Sequence, residues 1–139
     1  ISGLTYVHAP MNVKGTAVLR PGQHIGAWQL GLHNGKYEAL IQTGGEVAVF
    51  RDNDRDDVVD EDEATIDKGW FGINIHRSAA DAPSATVDGY SAGCQVFQSP
   101  TDFMAFLSLC KQNSAAFGYT NFTYTLFELA DFQRVVGIT

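Results

Sequence analysis

Short apolar runs separated by turn formers dominate the first fifty positions. Residues 16–19, 27–32, 39–42 and 47–50 are each rich in Val, Leu, Ile or aromatic side chains. Runs of four to six such residues suit strands, whereas helices need about ten or more. Pro21-Gly22, Asn34-Gly35 and Gly44-Gly45 punctuate them as turns. Asn34-Gly35 predicts a tight hairpin, because both residues tolerate positive φ. Further on, 70–75 predicts a buried strand leading to His76, 96–97 a short extended piece, and 121–129 a closing strand in which Phe122, Tyr124 and Leu126 alternate.

One segment reads differently. Ser99-Pro100-Thr101-Asp102 is a helix start. Ser99 can cap the free N–H groups, Pro100 fits the first helical turn, and Asp102 suits the positive helix end. Phe103, Phe106, Leu107 and Cys110 follow at helical spacing and predict an apolar face turned to the core. Residues 78–90 carry no periodicity and read as a loop. The expected class is mostly β, a sandwich or barrel, with one or two short helices.

The 139 residues suit one domain with one core. Residues 1–139 are therefore read as a single catalytic-type domain, and the leading Ile1 fits either a processed chain or a piece of a longer protein. No apolar run approaches the roughly 20 residues of a membrane-spanning helix. Net charge is −7 and the nine lysines and arginines are scattered, which argues against a nucleic-acid surface. Two cysteines, Cys94 and Cys110, are too few for a disulfide scaffold, though they leave one bridge open.

The candidate chemistry lies in Gly72-Ile-Asn-Ile-His76-Arg77 and Ser91-Ala-Gly-Cys94-Gln95-Val. A histidine and a cysteine stand at the ends of strand-like runs on either side of a polar loop, where functional groups are commonly displayed. An imidazole can make a nearby thiolate available near neutral pH. Gly93 would let a carbonyl substrate approach the backbone. Arg77 can hold a carboxylate through its planar fork, or simply face solvent.

These residues resemble the signature of the YkuD-type L,D-transpeptidase domain: a histidine, a loop, then Ser/Thr-His-Gly-Cys. Here 17 residues separate His76 from Cys94, and the likeness covers 69–97, about a fifth of the chain. It also extends to phage and bacterial proteins that look like divergent relatives. The resemblance implies a β-sandwich-like fold and acyl transfer on peptidoglycan stem peptides. Cys94 would be the nucleophile and His76 its proton acceptor. Ser91 would support the turn, and N–H groups around Gly93 and Cys94 would form the oxyanion site. Arg77, Gln95 and Tyr90 are the candidate substrate contacts. Ala92 stands where the family has a second histidine, and Gln95-Val96 where it often carries arginine. Hydrolysis is therefore expected ahead of transpeptidation, in the cell envelope, outside the cell or on a phage virion, within a larger phage or envelope assembly. The alternative is a non-catalytic domain that binds cell wall or protein.

No cofactor is required by this chemistry. The acidic stretch does offer a calcium candidate: Asp52, Asp54, Asp56, Asp60 and Glu63 match the EF-hand ligand spacing. Asp57 replaces the glycine that such a loop needs for its turn, and the flanks are not helices, so the choice is between a β-flanked calcium loop and a solvated acidic hairpin. Trp28, His33, Lys36 and Tyr37 surround the first hairpin, either lining a pocket or forming an ordinary sheet face. His8, His24 and His33 lack zinc-ligand spacing with any cysteine.

Overall fold

A computed structural model describes residues 15–52, 61–81 and 93–137. The strands form two sheets. In the smaller, β1 (Ala17–Leu19), β4 (Val47–Arg51) and β5 (Asp67–Gly69) are ordered β1-β4-β5. The larger is ordered β7-β6-β3-β2-β8, from β2 (Gly22–His33), β3 (Tyr37–Ile41), β6 (Ile75–Arg77), β7 (Gln95–Phe97) and β8 (Asn121–Leu126). All pairings are antiparallel except β6 with β7, which run parallel. The mostly-β expectation is met at this level.

Both sheets feed one core. Ala17, Leu19, Val47 and Val49 of the smaller sheet pack in a cluster with Ala27, Trp28, Leu40 and Ile75 of the larger. Ala39, the neighbour of Leu40, belongs to a second cluster with Phe103 and Leu107 of helix α1 (Pro100–Phe117). Successive strand residues point to opposite faces, so the larger sheet is packed on both. The predicted helix start holds: Ser99 Oγ accepts from the Asp102 N–H at 3.2 Å, with Pro100 in the first turn. The Asn34-Gly35 hairpin holds too, with φ of 50° and 69° and Lys36 N–H donating to His33 O at 2.9 Å. No helix among the described residues is long and apolar enough to cross a membrane.

Three elements differ from the sequence reading. The expected buried strand 70–75 is instead an irregular stretch at 70–74 between β5 and β6, reaching strand only at Ile75, and its first residue, Trp70, is exposed. Gly72 turns the chain there at φ 71°, and the buried Gln42 amide takes the hydrogen bonds a ladder would have made. Gln42 Oε1 accepts from the N–H groups of Phe71 and Ile73, while its Nε2 donates to Gly69 O and Gly45 O. The closing strand stops at Leu126, and α2 (Leu129–Val136) follows it. Finally, β2 starts earlier than expected, carried by a register irregularity between His24 and Trp28 that contains Gly26 at φ 62°.

Candidate active site around His76 and Cys94

The Gln42 clamp fixes the stretch that enters β6, and Asn74 is its next link. Asn74 Oδ1 accepts from the Gln42 backbone N–H at 3.0 Å. Its backbone O accepts from the Gln95 N–H at 2.9 Å, which starts the parallel pairing of β6 with β7. Asn74 thus stands beside Cys94. Its own N–H donates to Cys94 Sγ, and the thiol donates to Gly72 O, both at 3.4 Å. The half-buried thiol rests in a cradle of backbone groups from the irregular stretch.

His76 lies in β6, two residues beyond Asn74, and the His33 ring contacts both the Asn74 amide and the His76 ring. Register pairs it with Val96, two residues beyond Cys94. The parallel pairing therefore brings the two candidate residues to neighbouring chain segments, offset by two positions, about 7 Å, along the strand direction. His76 is 1% exposed. Its Nδ1–H donates to the Arg77 O at 2.7 Å, with the Tyr37 hydroxyl 3.4 Å away. That bond leaves the lone pair on Nε2, which is buried and has no hydrogen-bond partner. Neither ring nitrogen is bonded to Cys94, whose thiol is turned back toward Gly72.

Burial pushes the His76 pKa down to about 4; the nearby His33 and Arg77 add to the fall, and the Arg77 carbonyl opposes it. The ring is neutral at neutral pH. His33 stacks on it with centroids 4.1 Å apart and planes 20° from parallel. Tyr37 donates to Arg77 O at 3.3 Å, and the Arg77 guanidinium lies 4.1 Å over the Tyr37 ring. Burial pushes the Tyr37 phenol up, Arg77 opposes this, and charge on Cys94 raises it further. Tyr37 and Cys94 therefore share one electrostatic neighbourhood.

The remaining sequence candidates divide clearly. Gly93 has φ 125°, but a side chain there would run into the Ala17 carbonyl and the Ile73 side chain. Its missing Cβ makes room for β1. Gln95 is buried and receives a 3.4 Å bond from the Tyr124 hydroxyl, and strand alternation turns it to the face opposite Cys94. Arg77 is engaged by the Tyr37 ring as described. Tyr90 and Ser91 lie outside the described residues. So do Asp54, Asp56 and Asp60 of the acidic set. Asp52 is buried at the end of β4, whereas Glu63 pairs with Arg20 at 2.8 Å. Among the described residues no group of three or more His, Cys, Asp or Glu is disposed to hold a metal.

Of the hairpin group, His33 and Tyr37 reach the site. Trp28 does not line a pocket: it is fully buried and donates its indole N–H to Ile73 O at 2.6 Å. Lys36 sits in the hairpin turn. Cys110 is a buried thiol, as its helical spacing implied, and no disulfide joins it to Cys94. Gln42 and Asn74 were not singled out from the sequence. Their signal is a polar side chain at the end of one apolar run and in the middle of another.

Comparison with known proteins adds no relative: no family model, curated protein or solved structure matches the chain.

Proposed function

We propose that this protein is a cysteine-dependent acyl-transfer enzyme acting on peptidoglycan stem peptides, with hydrolysis ahead of L,D-transpeptidation and an L,D-transpeptidase-like fold. The observation that carries the reading is the buried, neutral His76 with an unpartnered Nε2, which the β6–β7 pairing sets opposite Val96, two positions after Cys94. Leaving a buried acceptor unpaired costs about 1–3 kcal/mol, and such groups call for an explanation, of which a catalytic role is one. The substrate class comes from the resemblance of the two motifs.

In this mechanism the Cys94 thiol leaves Gly72 O and reaches Nε2 directly or through one water. Such hydrogen bonds are commonly loose before substrate binds. Nε2 takes the thiol proton as sulfur attacks the amide carbonyl carbon. The N–H groups of Gly93 and Cys94 are the proposed donors to the oxyanion, since the Gln95 N–H is committed to Asn74 O. Collapse breaks the C–N bond, the amine leaves with the proton from His76, and a thioester remains. Water, deprotonated by the same nitrogen, releases the acid; an amine in its place completes transpeptidation. The Nδ1–H bond to Arg77 O orients the ring throughout, as the third group of such constellations does.

The thiol's bond to Gly72 O favours a second reading, a non-catalytic domain that binds wall peptide or a protein. Mass spectrometry of purified muropeptides separates the two. Wild type is expected to convert them, and Cys94→Ala and His76→Asn to lower the rate at least ~100-fold. Equal conversion by wild type and both variants rules the acyl-transfer reading out. Muropeptide binding without conversion by wild type supports the second reading.

A further inference from the structure

His33 comes from the end of β2, two strands away from His76, and makes two contacts that converge on the site. Its ring covers that of His76, 4.1 Å between centroids. Its Nδ1 lies 3.3 Å from Asn74 Nδ2. The Asn74 amide cannot be reversed, because its oxygen is taken by the Gln42 N–H. Nδ2 therefore donates and His33 Nδ1 accepts, which places the His33 proton on Nε2. That nitrogen is 3.1 Å from Asn34 Nδ2, so with Nδ1 accepting from Asn74 the Asn34 amide has to turn over and present its oxygen to the Nε2–H. Asn74 thus fixes the role of His33 Nδ1 as an acceptor, and burial lowers the His33 pKa in keeping with the neutral form.

We propose that His33 is a positioning residue for this site, holding the His76 ring by stacking and the Asn74–Cys94 link by accepting the Asn74 amide. The inference rests on the acyl-transfer reading for its purpose, though not for its geometry. The stack covers one face of His76 and fixes the plane in which Nε2 lies. The amide contact steadies the residue whose backbone N–H holds that thiol at rest. The ionisable groups gathered here are His33, His76, Tyr37, Arg77 and Cys94. A proton on His33 would point N–H at the Asn74 amide hydrogens and place a cation against His76, so only the neutral ring performs both tasks.

Two substitutions separate the two contacts. His33→Phe keeps an aromatic plate over His76 and removes the acceptor for Asn74; His33→Gln keeps an amide acceptor and removes the plate. The measurement is the titration and tautomer of His76 by nitrogen-detected NMR, alongside muropeptide conversion. Wild type is expected to show an Nδ1–H tautomer titrating near 4. His33→Gln should raise that titration by about one unit or more, as water reaches the ring, while His33→Phe should leave it within about half a unit. Conversion should fall about 10-fold in both. A His33→Gln protein whose His76 titrates as in wild type overturns the proposal, as does wild-type conversion by both variants. If wild-type protein converts no muropeptide, the enzymatic reading fails, while the NMR comparison still decides whether His33 positions His76.

Discussion

Burial of a neutral histidine makes folding pH-dependent, and His76 is the group on which this can be measured. Its pKa falls from 6.5 to about 4 on folding. Above pH 6.5 the ring is neutral in both states and its burial carries no charge penalty. As pH drops below 6.5 the unfolded chain takes up a proton that the folded chain refuses, so stability is lost until the folded ring also titrates near 4. The linkage relation makes the loss about 2 kcal/mol at pH 5 and about 3 kcal/mol at pH 4. His33 is shifted in the same direction and adds to the loss in the same window. The comparison is urea unfolding of wild type and His76→Asn at pH 7.5 and pH 5. Asn retains an amide donor for the Arg77 carbonyl and has nothing to titrate. Wild type should lose about 2 kcal/mol more than the variant over that interval, roughly 1 M in urea midpoint. Equal losses would refute the argument, because they would mean that the ring reaches water or a proton acceptor in the folded state.

Other expectations follow from particular contacts. Gly93→Ala places a methyl group against the Ala17 carbonyl at a φ of 125°; it should lower stability by about 2 kcal/mol or more in denaturant unfolding, before any effect on chemistry. Gln42→Leu strips partners from Phe71 N–H, Ile73 N–H and two carbonyls at once, so a loss of about 3 kcal/mol or more is expected, with a lower thermal midpoint. Ser99→Ala removes the cap of α1 and should cost about 1 kcal/mol by the same measurement. Brief iodoacetamide treatment followed by peptide mass spectrometry should label half-buried Cys94 well ahead of Cys110, which is buried and whose thiol pKa burial raises.

What was legible in the chain is what local chemistry decides. Ser99, Pro100 and Asp102 announce a helix start because capping involves neighbours within one turn, and Asn34-Gly35 announces a hairpin because positive φ is a property of those two residues. His76 and Cys94 were legible as a pair through their motifs. The break at 70–74 was not, since its cause is Gln42, some 30 positions earlier in the chain, whose amide meets the stretch only after β3 and β6 have paired. The start of α2 was masked in another way. Leu129, Phe132 and Val136 have helical spacing, but these side chains are exposed, so no burial pattern separated them from the tail of an alternating strand.

The site follows the same division, and His33 shows why. In the hairpin it stands opposite Tyr37 and beside the Asn34 amide, and neither neighbour points to His76. Its role depends on the strand order β2-β3-β6. The pairing of Leu40 with Ile75 sets Ala39, one residue earlier, beside His76, one residue later. The pairing of β2 with β3 sets Gly31 opposite the same Ala39. On the middle strand the residue beside His76 is thus Ala39, whose small side chain leaves room for the His33 ring to reach across. A motif can nominate a nucleophile and its base, but the groups that orient them are assembled by sheet register. For this reason the ring that stacks on His76 comes from the hairpin, about forty residues earlier in the chain.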